Sequence, residues 1–182
     1  MKTYSTAFIF LIAIYFIFTS SVSAHTNNND GEGDFHSDQP LTLEEIYKIK
    51  GYTQEITDPI EQFEDTFSTK VVLPKKMPFD VHRSFGKMNE DNSLSLHFFG
   101  ENKKDLFQFT INPNEPYKNS VNDQLSNGKE IFIEEINHDP LHIRQLFMKK
   151  GEFEYILGIN YADEKYKRPV LIETAESMIE QE

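Results

Sequence analysis

The recurrence of large apolar residues at every second position is the feature that most constrains the fold of this chain. In the clearest example, single residues separate Phe153, Tyr155, Leu157, Ile159 and Tyr161. Successive side chains of a β-strand point to opposite faces of the sheet, so a period of two predicts a strand with one buried face. The same reasoning predicts further strands over residues 81–87, 93–98, 107–111, 129–136 and 141–149. Most of the polar turns between them are short, which favours antiparallel neighbours.

Helical patterns flank this run of strands on both sides. Residues 41–51 contain the capping-box pair Thr42 and Glu45, and a second helix is predicted from Asp58, which precedes a proline. A third helix is predicted after Pro169, where apolar residues recur at three- and four-residue spacings. The order predicts an α+β fold in which a curved antiparallel sheet of about five or six strands has its helices packed on one face. A sheet curved far enough to form a half-barrel is the alternative.

The N-terminus has the features of an export signal. Lys2 is the only charged residue before the apolar run 7–18, and small residues lead to Ala24. This arrangement predicts a signal peptide over residues 1–24 that is cleaved after Ala24. The apolar run is shorter than the roughly 20 residues that a membrane-spanning helix needs, so no membrane span is expected after cleavage. An uncleaved anchor is the alternative.

Composition sets the limits for the rest of the chain. Residues 25–40 are polar and predict a flexible leader, and residues 41–182 have the length of a single domain. The chain has no cysteine, so an exported protein of this kind is free of disulfides, which is more typical of bacteria than of animals. A formal net charge of −12 argues against binding to nucleic acid or to an anionic membrane.

Two separated segments carry a resemblance to a known family. The first segment, residues 67–80, reads FSTKVVLPKKMPFD and contains a Leu-Pro pair with a second proline four residues after the first. The second segment, residues 151–180, contains Tyr-Ile-Leu-Gly at 155–158 in a predicted strand and Ala-Glu-Ser at 175–177 in a predicted helix. Both resemble a bacterial exported domain-of-unknown-function family found in Gram-positive secreted proteins and in extracytoplasmic parts of anti-sigma-factor-type regulators. The resemblance implies an exported, non-catalytic α+β domain over residues 57–180, and it supplies no catalytic residues. The chain departs from the family in having no tryptophan.

The one candidate metal site lies at His138, Asp139 and His142. Imidazole and carboxylate ligands suit zinc or copper, and a further ligand would have to come from His82 or His97. The Asp-Pro pair inside this segment is more typical of a turn. No cofactor is therefore predicted, and these residues remain weak candidates for metal binding.

Aromatic residues supply a second candidate site. Phe98, Phe107, Phe109 and Tyr155 fall on predicted strands and could line a concave face that binds a small apolar ligand. The alternative is that they pack in the core, as alternating strand residues do.

Together these features predict an exported, secreted or cell-surface domain that binds, senses or interacts without catalysis. Its expected partner is an unknown protein or a small apolar ligand. One alternative is a metal-dependent extracellular enzyme centred on His138 and His142. Another is a structural protein of the cell surface that assembles through an exposed sheet edge.

Overall fold

The computed structural model describes residues 40–102, 104–114, 120–138, 141–160 and 168–179, and for His138 and Leu141 it describes the backbone alone. The predicted signal peptide and nearly all of the predicted leader lie outside these ranges. The chain divides into the units 1–43 and 44–182. All helices and strands lie in the second unit, apart from Leu43 at the start of the first helix. The elements are α1 (Leu43–Ile49), α2 (Thr57–Phe67), β1 (Arg83–Met88), β2 (Leu94–Phe99), β3 (Leu106–Asn112), β4 (Asp123–Gln124), β5 (Glu130–His138), β6 (Leu141–Lys150), β7 (Phe153–Asn160) and α3 (Arg168–Ile179).

All seven strands form one antiparallel sheet in the order β1-β2-β3-β7-β6-β5-β4. The sheet is open, because its outermost strands, β1 and β4, each pair on one side only with another strand. With three helices in the described ranges, the fold is a mostly-sheet α+β fold, as the sequence predicts. The predicted number of strands, five or six, is too low. Two-residue β4 falls between the predicted strands 107–111 and 129–136, and a strand this short has no periodicity to detect.

The register of the sheet sorts its side chains into two faces. One row across five strands is wholly apolar and buried, and it consists of Leu96, Phe109, Leu157, Leu146 and Ile133. The adjacent row on the opposite face is polar apart from one glycine, and it consists of His97, Gln108, Gly158, Gln145 and Glu134. Cross-strand partners share a face, so the alternation along each strand becomes continuous rows across the sheet.

The apolar row belongs to a core to which α2 and α3 both contribute. Phe63 of α2 and Leu171, Ala175 and Met178 of α3 are fully buried in the same cluster as the strand residues. The helices therefore bury apolar stripes against the sheet, which is the usual source of helix stability in a small domain. None of the three helices in the described ranges combines the length and apolar content needed to cross a bilayer.

An extended connector, residues 69–80, joins α2 to β1 and contains the two prolines of the resemblance segment. Its residues Val71, Leu73, Met77 and Phe79 pack against the core cluster. Each proline holds the residue before it in extended geometry, which suits a segment that lies along the core rather than within the sheet.

The connector also contacts α3 directly. The backbone N–H of Lys76 donates to Ser177 Oγ at 3.1 Å, and the ammonium group of Lys76 pairs with Glu173. Ser177 Oγ itself donates to the carbonyl of Thr174. The two segments that carry the family resemblance are thus in contact with each other.

Candidate functional site

Strand β5 has an outer edge that other strands cover only at its beginning. In the ladder with β4, Glu130 is the partner of Gln124 and Ile131 is the partner of Asp123. Asp123 is the first residue of β4, so β4 covers no position of β5 beyond Ile131. Backbone groups of an antiparallel strand point alternately to its two neighbours. Since Ile131 and Ile133 turn their backbone groups outward, Glu135 and Asn137 must do the same.

Asn122 closes the next position along this edge. Its side-chain amide donates to the carbonyl of Ile133 at 2.8 Å and accepts from the N–H of Ile133 at 2.8 Å. Its backbone N–H donates to the carbonyl of Ile131 at 3.2 Å. The amide imitates a backbone peptide group, so Asn122 extends the pairing of β4 by one position and then ends it.

Beyond Asn122, no residue that the structure describes pairs with this edge. No hydrogen bond reaches the outward N–H or carbonyl groups of Glu135 or Asn137 from the described part of the chain, and both residues are exposed. Four strong backbone groups at two consecutive outward positions are therefore available to water or to another strand. We call the segment from Glu134 to Asn137 the open β5 edge.

The opposite edge of the sheet, along β1, is blocked in its middle. Thr53 and Gly86 exchange two backbone hydrogen bonds of 2.9 and 2.8 Å. Ser84 also turns its backbone groups outward, and it borders a groove of about 350 Å³. That groove is lined by Gln54, Val81, His82, Arg83 and Ser84. A strand laid along β1 would collide with Thr53, so this edge offers only isolated positions.

A buried polar cluster lies on the sheet face opposite the apolar row, near β1 and β2. The hydroxyl of Tyr47 in α1 lies 2.8 Å from His97 Nδ1, and Gln108 Nε2 lies 3.5 Å from His97 Nε2. The ring of Tyr47 stacks on Phe85 with centroids 4.3 Å apart. The ring of Tyr52 also lies against the His97 ring, at a centroid distance of 5.0 Å, and against the ring of Tyr47, at 5.0 Å.

Burial controls the protonation of this cluster. It lowers the pKa of His97 to about 3, and the nearby positive charge of Lys50 acts in the same direction. Burial also raises the pKa of Tyr52 to about 12, against the effect of its hydrogen bond with Ser95, and it raises the pKa of Tyr47 further. His97 is therefore neutral at physiological pH. A neutral imidazole can act as a base, but this one is enclosed by aromatic rings, so its evident role is to hold α1 on the sheet.

The predicted ligand-binding aromatic residues lie in the core. Phe98, Phe107, Phe109 and Tyr155 are at most 3% exposed and belong to the cluster that includes residues of α2 and α3. The hydroxyl of Tyr155 also accepts a hydrogen bond from the backbone N–H of Val72 in the connector. Their rings form no open surface, and the alternative interpretation as core residues fits this placement.

The predicted metal site falls largely outside the described residues. Asp139 lies in the gap between β5 and β6, and of His138 only the backbone is described. The register pairs His142 with Asn137, whereas His138 is paired with Leu141, so the two histidines are not cross-strand partners. Among the described residues no group of three or more histidine, cysteine or carboxylate side chains could hold a metal ion.

The two histidines considered as distant ligands lie near the other end of the sheet. His82 is an exposed residue just before β1, and its backbone N–H donates to the carbonyl of Phe99. His97 is in the closed cluster under α1. Both belong to the β1–β2 side of the sheet, while His142 lies on β6, three strands from β2 in the sheet order.

Sequence reasoning did not identify the open β5 edge. It predicts a strand over residues 129–136, but periodicity does not show which strand is outermost in a sheet. One signal was present in the chain: adjacent Glu134 and Glu135 place charge on both faces of a strand, which is common on edge strands.

A scan against models of protein families, a search of curated proteins and a search of solved structures each found no match for this chain. The resemblance carried by residues 67–80 and 151–180 therefore stays a prediction.

Proposed function

We propose that this chain is an exported interaction domain that works without catalysis and recruits another protein by adding a strand to the open β5 edge. The observation that carries the proposal is the pair of consecutive outward positions, Glu135 and Asn137, whose four backbone groups have no partner in the described part of the chain. Strand addition to a sheet edge is a common mode of peptide recognition, in which main-chain hydrogen bonds give affinity. Export is supported by the signal-like residues 1–24.

The number of open groups sets the expected strength of binding. Four backbone hydrogen bonds contribute about 2–6 kcal/mol at about 0.5–1.5 kcal/mol each. A dissociation constant of 1 mM corresponds to about 4 kcal/mol. Backbone pairing alone therefore supports weak, reversible binding, and side chains beside the edge must provide both additional affinity and selectivity.

The test is a comparison of edge variants against a random-peptide phage library. Asn137→Pro removes one outward N–H and leaves the ladder with β6 intact, because that ladder uses the inward groups of its neighbours Ile136 and His138. Ser84→Pro makes the same change on the blocked β1 edge and is the matched control. We expect the wild-type protein and the Ser84→Pro protein to enrich the same peptides, and the Asn137→Pro protein to enrich none of them.

Hydrogen exchange supplies a readout that does not depend on the variants. An enriched peptide should slow exchange of the Glu135 and Asn137 amides in the wild-type protein, since these amides become hydrogen-bonded on binding. Equal enrichment on all three proteins, or protection confined to other amides, would exclude the open β5 edge as the binding surface.

The same observation favours a second candidate function, self-assembly on the cell surface through paired β5 edges. The net charge of −12 opposes association between copies. Light scattering over a wide range of protein concentrations distinguishes the two functions: a monomer at high concentration contradicts self-assembly and leaves recruitment of another protein in place.

A further inference from the structure

We infer that the strand recruited by the open β5 edge is an extended, antiparallel segment that carries a basic residue opposite Glu135 and an apolar residue opposite Ile136. This inference rests on the proposed function, and it specifies the chemistry of the partner.

The first argument is the unequal use of the two oxygens of Glu135. Arg144 Nε and Nη2 both donate to Oε1, at 2.8 and 2.7 Å. No hydrogen bond to Oε2 occurs in the described part of the chain, and the Glu135 side chain is 49% exposed, whereas that of Arg144 is only 11% exposed. A second cation can therefore approach Oε2 from the open edge without displacing Arg144.

The second argument is the position of Glu135 relative to an added strand. Glu135 is an outward position, so a strand paired there would place one residue directly opposite it, with its side chain on the same face. Directly opposed residues of opposite charge stabilise a strand pair, and residues of like charge destabilise it. A lysine or arginine at this position is favoured, and a glutamate or aspartate is disfavoured. The acidic chain as a whole acts in the same direction by attracting basic segments.

The third argument concerns Ile136, which lies between the two outward positions and determines which residue the partner should carry opposite it. Ile136 lies on the opposite face from Glu135 and is 8% exposed. Its cross-strand partner in β6 is Ile143, which is also buried. The residue opposite Ile136 in an added strand would extend this apolar row, so a β-branched apolar residue suits it best.

Asn122 fixes where the added strand must end. Its amide occupies both backbone groups of Ile133, so a partner residue cannot pair there. All strand pairs of this sheet are antiparallel, and we assign the same orientation to the added strand. β5 runs from Ile133 toward the hairpin with β6, so an antiparallel partner runs the other way. The partner therefore reads, from its N-terminus, polar opposite Asn137, apolar opposite Ile136 and basic opposite Glu135, and then turns away at Asn122.

The experiment uses two acetylated, amidated synthetic peptides that differ in one residue. The first contains Thr-Ile-Lys within a threonine- and valine-rich extended sequence, and the second contains Thr-Ile-Glu in the same frame. Each is titrated into the full chain and followed by amide chemical shifts at Glu135 and Asn137. We expect the lysine peptide to bind about three- to ten-fold more tightly than the glutamate peptide, with a difference that shrinks at high salt.

Charge variants of the protein separate recognition from folding. Glu135→Lys should reverse the preference between the two peptides. Should that change destabilise the protein through Arg144, the neutral Glu135→Gln is the second variant, and it should abolish the preference while preserving pairing at the backbone. A preference that persists in Glu135→Gln would overturn the assignment of Glu135 as the selecting residue.

The possible outcomes also separate this inference from the proposed function. If both peptides shift the edge amides with equal affinity, the edge binds strands and the predicted chemistry of the partner is wrong. If neither these peptides nor any library peptide affects the edge amides, the proposed function fails. If the same amides become protected as protein concentration rises with no peptide present, the partner is a second copy of this chain and the basic segment is excluded.

Discussion

Replacement of His97 by a residue that does not titrate should remove a defined part of the acid sensitivity of this protein. The folded state holds His97 neutral, with its pKa lowered to about 3 by burial, whereas an unfolded chain protonates histidine at a pKa of about 6.5. Between these two values the unfolded state binds one more proton than the folded state. Stability therefore rises with pH across this window, and it is lost as the pH falls below about 6.5.

The magnitude follows from proton linkage for a single group. Well below the unfolded pKa the slope approaches about 1.4 kcal/mol per pH unit. Near the unfolded pKa the slope is smaller, so between pH 7 and pH 5 His97 accounts for a loss of about 2 kcal/mol in the free energy of unfolding. This value depends little on the exact folded pKa, provided that His97 remains neutral at pH 5.

The assay is urea unfolding followed by far-UV circular dichroism at pH 7, 6 and 5. His97→Gln keeps a polar side chain that can accept a hydrogen bond from Tyr47, and it has no proton to gain in this range. The variant should lose about 2 kcal/mol less stability than the wild-type protein between pH 7 and pH 5. His82→Gln makes the same substitution at an exposed histidine outside the cluster and is the matched control.

Carboxylates also begin to titrate near pH 5, so the informative quantity is the difference between the wild-type and variant profiles. Identical profiles for the wild type and His97→Gln would show that His97 gains its proton in the folded state. That result would contradict the closed cluster of Tyr47, Tyr52 and Gln108 around the ring.

Four further substitutions, one of them a control, test the packing that holds the sheet, the helices and the connector together. Gly86→Ala would place a Cβ atom 2.7 Å from the proline ring of α2 and should cost about 1–3 kcal/mol in urea unfolding, whereas Gly158→Ala, whose nearest contact would be 3.5 Å, should be tolerated. Ser177→Ala removes the acceptor of the Lys76 N–H and should cost about 1 kcal/mol, with faster exchange of that amide; unchanged exchange would contradict the bond. Phe63→Ala removes a fully buried ring and should cost about 3–5 kcal/mol, measured in the same way; a loss below 1 kcal/mol would show that α2 does not anchor the core.

The strands with one uniformly apolar face were predictable because burial imposes a period of two. Leu157 illustrates this: Tyr155 and Ile159, two residues away on either side, are buried on the same face, and its neighbours across the sheet, Phe109 and Leu146, are buried beside it. The fold class follows from several such segments with helical patterns at both ends. The number of strands cannot be predicted in this way, because β4 pairs with β5 through two residues only, and Asn122 continues the pairing through its side-chain amide. No periodicity distinguishes such an asparagine from one in a loop.

The candidate sites were less predictable, for a different physical reason. The alternation of His97 with Leu96 and Phe98 indicates a face that is open to water, yet His97 is buried because Tyr47 of α1 and Tyr52, just after that helix, lie over it. Such coverage depends on which element crosses the second face of the sheet, and this is a property of the whole fold. Local patterns show that a residue lies on a given face, but they do not show what covers that face.

The two outer edges of the sheet differ in how much of their length other residues cover, and this difference supports the role proposed for the open β5 edge. Unpaired sheet edges promote aggregation. In this fold a polar residue outside the strands occupies part of each edge: Thr53 pairs with β1 through its backbone, and Asn122 pairs with β5 through its side-chain amide. Among the described residues, β5 alone keeps two consecutive outward positions without a partner strand, and Glu135 begins this open part. The carboxylate of Glu135 disfavours a strand with an acidic residue opposite it and favours one with a basic residue there. It also disfavours pairing with the β5 edge of a second copy in the register that sets the two Glu135 residues opposite each other. For the proposed addition of a strand, the open segment is short enough to limit nonspecific pairing, and its charge would favour a basic partner.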